Sequence, residues 1–355
     1  MQEKKLQKLE NDQSYEDNFN EYPPIDIVAF NELRSCADLL RLYQTEQLTI
    51  QPDFQREVVW SNPDQTRFID SLTKQLPIPS MCISLDYRTE KRLVIDGMQR
   101  MTSIISFLSN DKWKLSELDD IDERISGKTV LEIRNSSREI YDRVQNVMIP
   151  ITLIRCDNSK KIHNEYLFTI FKRLNSGGVK LNNQEIRNCI YNGEFNTLLK
   201  TLAQKSESKK IFGNKTRFSN EEMILRFFAF QDRLASYNGK LSKFLNDYMN
   251  DFKNIEPHLL IEKQQHYNDV TRFLLTKVLM AQQPHSFGKT FMEGLLYGIS
   301  KNYHKIKDET PIVLTKMLVK FLNLQEYSPE NLQEGLSKKD KVIERLNAAD
   351  RSFKI

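Results

Sequence analysis

A predicted buried strand ends at a short cluster of an acid, a glycine, an amide and a guanidinium. The stretch "RLVIDGMQR", residues 92–100, contains Asp96, Gly97, Gln99 and Arg100. A glycine at a helix start lets an anion approach backbone N–H groups, and an arginine can bind a phosphate with two hydrogen bonds. A carboxylate beside them could accept a hydrogen bond from a sugar or water, hold a magnesium ion, or act as a base. The stretch therefore predicts a phosphate site with Asp96 as its reactive group.

A structural role for the same residues stays open at this point. Met101, Ile104 and Leu108 are spaced as on one face of a helix, so a strand–turn–helix junction is expected here. Asp96 could be the N-cap of that helix, and Gln99, three residues on, could complete a capping box.

A second stretch, "QPDFQREVVW", covers residues 51–60. Gln55 and Arg56 suit recognition of a phosphate, and Phe54 or Trp60 could stack on a base. The structural alternative is an ordinary edge segment that carries an amphipathic tryptophan.

A third stretch, "FKRLNSGGVKLNNQEIRN", covers residues 171–188. Its polar candidates are Arg173, Asn175, Gly177, Glu185 and Arg187. Glycine at 177 permits left-handed backbone angles between two predicted helices. The structural alternative is a C-capped helix followed by a helix whose N-terminal acid complements the dipole.

The elements that would position these residues suggest an α+β fold. Strands are predicted at "IDIVAF", "SMCISL", "RLVI" and "VMIPITLIRC", and helices at Leu33 to Leu42 and from Asn62 to about Gln75. From His163 onward the apolar spacing is helical almost to the C-terminus. We expect a weakly structured arm over residues 1–24, a mixed domain over 25–200 and an α-helical domain over 201–355.

Composition excludes several classes of protein. The 355 residues are 39% hydrophobic and 28% charged, which suits a globular protein, and no run approaches the length of a membrane helix. The four cysteines are far apart in sequence, which predicts reduced, buried thiols and a cytoplasmic protein. The histidines show no ligand spacing, so no bound metal is predicted from the residues alone.

The positive charge is uneven and predicts a polyanionic partner. Residues 199–217 contain six Lys or Arg against one acid, within a net charge of +4 for the chain. Lys209, Lys210, Lys215 and Arg217 are the candidates for DNA contacts. The alternative is a solvated surface without a partner.

Together, the three stretches resemble one family in their order and separation. It is the N-terminal domain of GmrSD-type type IV restriction enzymes and of related phage-defence proteins that sense modified DNA. The central motif there is D-G-Q-Q-R, and this chain departs only at the third position, where it has Met98. The resemblance implies a ParB/sulfiredoxin-like fold for the first domain. It also implies a pocket formed by Gln55, Arg56, Asp96, Gly97, Gln99 and Arg100, and closed by the segment from Arg173 to Gly178 with Glu185 and Arg187.

Many relatives carry an HNH nuclease domain, and we expect this chain to be a form without it. The histidines after residue 200 lie in helical patterns without the strands of an HNH site. Three hypotheses follow for an anti-phage protein that meets foreign, modified DNA. The first is nucleotide hydrolysis that gates DNA processing, with a nucleoside triphosphate and Mg²⁺ as cofactors. The second is direct cleavage of DNA or excision of a flipped base, without a cofactor if it is a glycosylase. The third is a non-catalytic sensor that recruits a partner nuclease.

Overall fold

A computed structural model describes residues 23–50, 60–174, 181–214, 217–280, 288–332 and 335–355. The chain divides into two compact units after residue 180, which lies before the boundary predicted at 200. We call the described residues up to 174 the sheet unit and those from 181 onward the helical unit. The combination of a mixed sheet with a helical C-terminal region confirms the predicted α+β class.

The sheet unit is built on five strands in the order β1-β5-β3-β4-β2. Their bounds are β1 Val28–Ser35, β2 Leu48–Thr49, β3 Met81–Asp86, β4 Arg92–Asp96 and β5 Met148–Cys156. Strand β3 runs parallel to β5 and antiparallel to β4, so the sheet is mixed. The strands predicted at "SMCISL", "RLVI" and "VMIPITLIRC" are therefore confirmed as β3, β4 and β5.

Six helices accompany the sheet in this unit. They are α1 Cys36–Gln44, α2 Asn62–Thr73, α3 Met98–Ser109, α4 Val130–Ser136, α5 Arg138–Asn146 and α6 Lys161–Leu174. Side chains of α1 to α5 form one core with the odd-numbered residues of β3 and β5, among them Ile83 and Ile151. Helix α6 packs against β4 with buried side chains outside that core cluster. Burial of these apolar surfaces is the main source of stability.

The first predicted helix begins three residues later than its spacing suggested. Leu33 pairs with Pro150 as part of β1, so it belongs to the strand. Ser35 then caps α1, because its side chain accepts a hydrogen bond from the backbone N–H of Asp38 at 3.1 Å. The predicted helix that starts at Asn62 is confirmed, with Pro63 in its first turn.

The described part of the helical unit contains nine α-helices. They are α7 Asn183–Ile190, α8 Glu194–Gln204, α9 Ser206–Phe212, α10 Ser219–Arg233, α11 Leu241–Asp251, α12 Pro257–Phe273, α13 Lys289–Ile306, α14 Pro311–Leu322 and α15 Lys339–Ser352. Aromatic side chains such as Phe195, Phe228 and Tyr248 pack edge to face in its interior. All four cysteines lie in the described ranges, where they are buried and form no disulfide, as predicted. No helix in the described ranges is both long and apolar enough to cross a membrane.

Candidate functional site

The turn between β4 and α3 requires glycine for two reasons. Strand β4 ends at Asp96, Gly97 has a φ of 88°, and α3 begins at Met98. That φ lies in the left-handed region, which side chains with a Cβ rarely adopt. A Cβ at Gly97 would also lie 2.7 Å from Cγ of Met81, which is fully buried. Gly97 therefore lets the chain reverse directly from the strand into the helix.

Asp96 does not cap helix α3. The N-cap position is Gly97, and it supplies no side-chain hydrogen bond to the helix. The capping interpretation of Asp96 is therefore wrong, because the turn at Gly97 places the aspartate outside the cap position. The start of α3 keeps its N–H groups and positive dipole end without a side-chain cap.

Arg100 holds Asp96 in place. Its Nη2 donates to Oδ2 of Asp96 at 3.1 Å and to the carbonyl of Ser80 at 3.4 Å, and its Nη1 donates to the carbonyl of Pro79. Three hydrogen bonds thus tie the end of β4 to the segment before β3. Burial lowers the pKa of Arg100, and the neighbouring Asp96 carboxylate opposes that effect. The predicted bidentate contact of Arg100 with a phosphate stays a prediction.

Asp96 itself is partly open to solvent. Its side chain is 36% exposed, whereas that of Arg100 is 15% exposed. Gln99, in the first turn of α3, is half-buried. The arrangement offers a fixed, accessible carboxylate beside an uncapped helix start. Such a carboxylate can orient a water molecule or accept a proton at the edge of an anion site.

A row of polar residues crosses the sheet to Asp96, and the sequence did not point to it. Asn31 of β1 pairs with Thr152 of β5, Thr152 pairs with Cys82 of β3, and Cys82 pairs with Asp96. The hydroxyl of Ser80 lies 3.2 Å from that of Thr152. Side chains alternate along the strand "MIPITLIRC", so Thr152 lies on the other face of the sheet from the buried Ile151 and Leu153. This alternation is the sequence signal that could have pointed to the row.

Cys82 is not a nucleophile in this row. Burial, and to a lesser extent the charge of Asp96, raises the pKa of its thiol to about 12. A thiol with that pKa stays protonated and unreactive at neutral pH.

Several predicted pocket residues lie outside the described ranges. They are Phe54, Gln55, Arg56, Asn175 and Gly177, and their roles stay predictions. Trp60 is described and packs edge to face against Phe68 with a centroid distance of 5.6 Å, on the rim of the sheet unit's core. Arg173 lies in the last turn of α6 and is exposed.

Glu185 and Arg187 belong to the interior of the helical unit. Glu185 caps α7 through a capping box with Asn182 and forms an ion pair with Arg217 at 2.7 Å. Arg187 is 1% exposed, and its guanidinium contacts Glu222 at 3.3 Å and Asn246 at 2.8 Å. These bonds give both residues a structural function, whereas their predicted part in closing the pocket stays a prediction.

Two of the four predicted DNA-contacting residues lie on an exposed surface. Lys209 and Lys210 are exposed on α9. Arg217 is committed to its ion pair with Glu185, and Lys215 lies outside the described ranges. Within those ranges, no group of three or more His, Cys, Asp or Glu side chains is arranged to hold a metal ion.

The fold and the junction at Asp96 define an α+β domain with a strand–glycine–helix site, and comparison gives its family. Residues 37–192 match the family model of the GmrSD restriction endonuclease N-terminal domain. This part of the chain is therefore a GmrSD N-terminal domain, as its motifs predicted. No curated protein and no solved structure matches the chain. The expected lack of an HNH nuclease and the ParB-like character of the fold stay predictions.

Proposed function

We propose that this protein takes part in the restriction of foreign, modified DNA, and that its β4–α3 junction binds and hydrolyses a nucleoside triphosphate to gate DNA processing. The family match supports the first part, because the matched domain is that of a restriction endonuclease and includes the junction. Modified phage DNA would be the partner, contacted by exposed lysines such as Lys209 and Lys210. The protein would act in the cytoplasm, where foreign DNA is encountered.

The assignment of the junction as the site of hydrolysis rests on one observation. A fixed, partly exposed carboxylate lies next to a glycine turn and an uncapped helix start. The N–H groups at the start of α3 would bind phosphate oxygens. A purely phosphate-binding site has little use for an acid beside the anion, so Asp96 favours a reaction over simple binding.

Asp96 would orient the attacking water in this reaction. Its Oδ2 accepts from Arg100, which holds the carboxylate in one orientation and leaves Oδ1 for the water. The water would lose a proton to Oδ1 of Asp96 and form a bond to the terminal phosphorus while the bond to the bridging oxygen breaks, which releases inorganic phosphate and a nucleoside diphosphate. Asp96 also provides one oxygen ligand of the kind that Mg²⁺ prefers, and bound magnesium would neutralise phosphate charge.

Direct action on DNA remains the competing chemistry for the same carboxylate. A base excised by Asp96 would leave an abasic site, and a cleaved phosphodiester would leave a nick. A sensor that recruits a partner nuclease would yield neither product.

A product assay separates these outcomes. The purified chain is incubated with GTP, CTP or ATP and Mg²⁺, with and without glucosylated or methylated duplex DNA. We expect free phosphate, at a rate that modified DNA changes. Alkali-labile sites or nicks that form without any nucleotide would contradict the proposal and indicate direct attack on DNA. The absence of all products would contradict an enzymatic function.

A further inference from the structure

Strand β1 forms a long edge of the five-stranded sheet. It pairs with β5 on one side, and no strand among the described residues pairs with its other side. Its register against β5 is unbroken over all eight residues, from Val28 opposite Arg155 to Ser35 opposite Met148. Proteins usually protect such an edge with a bulge, a proline, a lysine or a very short strand. The segment "VAFNELRS" has none of these features, so β1 is open to pairing with another strand.

The odd-numbered residues of β1 direct their backbone groups to the open side. In the same register Cys36 lies opposite Val147, and its backbone N–H donates to the carbonyl of Val147 at 3.1 Å. Hydrogen-bonded and non-hydrogen-bonded pairs alternate along an antiparallel ladder, so the even-numbered residues bond to β5. Leu33 agrees with this pattern, because its partner Pro150 has no backbone N–H. Leu33 and its odd-numbered neighbours therefore offer donors and acceptors to an added strand.

The open edge also exposes apolar side chains on both faces of the sheet. Leu33 is 64% exposed on one face, whereas Val28 is 49% and Phe30 is 42% exposed on the other. Exposed apolar residues beside unpaired backbone groups are typical of a strand that associates with another chain. Burial of these side chains would add to the free energy of pairing.

The charged residues of β1 are already neutralised within the chain. Nε of Arg34 lies 2.6 Å from Oε1 of Glu32, and Nη1 of Arg34 lies 2.5 Å from Oδ2 of Asp38. An unpaired charge on an edge strand would oppose pairing, but this cluster presents both signs. The side chains of Arg34 and Glu32 are 23% and 21% exposed, so each can still meet an opposite charge on an added strand.

We propose that β1 pairs with β1 of a second copy of this chain, in antiparallel orientation about a twofold axis at Leu33. In this register Leu33 faces Leu33 of the other copy, and Glu32 of each copy faces Arg34 of the other. Opposite charges directly across a non-hydrogen-bonded pair stabilise strand pairing. An axis one residue away, at Glu32, would instead place two glutamates opposite each other. The charge complementarity of β1 with itself identifies a second copy as the partner.

The test is the oligomeric state of the full chain, measured by sedimentation equilibrium over a range of concentrations. We expect the wild type to form a reversible dimer. Leu33→Lys places two like charges at the twofold axis and should be monomeric at concentrations where the wild type is a dimer. Ile312→Lys is the matched control, because Ile312 is 70% exposed on α14, outside β1, and this variant should dimerise as the wild type does. Thermal unfolding scans check that both variants are folded.

A charge-swap experiment tests the register. Glu32→Arg and Arg34→Glu each place like charges opposite each other in both charged pairs of their own dimer. We expect either variant alone to raise the dissociation constant of the dimer about tenfold or more. An equimolar mixture of the two variants restores opposite charges in both pairs, so it should dimerise more tightly than either variant alone.

Three results would count against this interface. A wild type that is monomeric at every concentration would overturn the inference, as would a dimer that Leu33→Lys leaves intact. A mixture of the charge-swap variants that dimerises no better than either alone would overturn the register at Leu33. These measurements require no nucleotide, so their outcome is independent of the proposed hydrolysis at the β4–α3 junction.

Discussion

Gly97 and Arg100 together determine where the Asp96 carboxylate lies. The glycine allows the chain to reverse at the end of β4, and the arginine ties the carboxylate to the segment before β3. The motif that suggested a phosphate site is thus also a set of structural restraints on one carboxylate.

Replacing Gly97 should show how much the turn contributes. We expect Gly97→Ala to lower the free energy of unfolding by about 1–3 kcal/mol, because alanine is strained at this φ and its Cβ would clash with Met81. Gly127→Ala is the matched control, since Gly127 also has a positive φ of 68° but its Cβ would meet only an ordinary contact at 3.4 Å. Urea denaturation measures both. A smaller loss for Gly97→Ala than for Gly127→Ala would contradict the clash with Met81.

The strands and helices of the sheet unit followed from patterns of apolar residues, but the polar row across the sheet did not. Asn31 and Thr152 are 121 residues apart, and only the pairing of β1 with β5 brings them together. One sequence contains no information on strand register between distant segments. The junction at Asp96 could be predicted because all its residues lie within one short stretch.

Glu185 and Arg187 lie next to a predicted loop in the sequence, but the residues they contact are far away along the chain. Arg187 on α7 and Arg226 on α10 both pair with Glu222, and Arg226 also pairs with Glu293 on α13. The polar residues of this motif predicted a pocket. In the structure, Arg187 is buried and belongs to a charge network that joins three helices. Burial of that kind depends on the packing of the whole unit.

This network predicts a pH dependence of stability. Burial by itself raises the pKa of Glu222, but Arg226 and Arg187 outweigh it and lower the pKa from 4.5 to about 2. A lowered pKa stabilises the folded state above pH 4.5, and this contribution is lost as the pH falls from about 4.5 toward 2. It amounts to about 3 kcal/mol at most.

Urea denaturation of the full chain between pH 6 and pH 3 tests this dependence. Glu222→Gln should destabilise the protein at neutral pH and flatten the acid loss. Glu262→Gln, at an exposed position on α12 without an ion pair in the described structure, should leave the acid loss unchanged. An equally steep acid loss in Glu222→Gln would show that the network does not titrate as proposed.

At the scale of the whole molecule, the end of the family match differs from the boundary between the two compact units. The family match ends at residue 192, but the compact units divide after residue 180. Helix α7 therefore belongs to the GmrSD N-terminal domain by sequence and to the helical unit by its contacts. Activity measurements should therefore use the full chain, which keeps the whole matched segment intact.

The most direct test of the proposed function is phosphate release by the full chain and by Asp96→Asn. The variant removes the charge of the carboxylate and keeps its size, so the fold should persist, which a thermal unfolding scan checks. We predict that the wild type releases phosphate from a nucleoside triphosphate and that Asp96→Asn is slower by about 100-fold or more, as for the loss of a catalytic base. Equal rates of phosphate release in the two proteins would contradict the assignment of Asp96 as the reactive group.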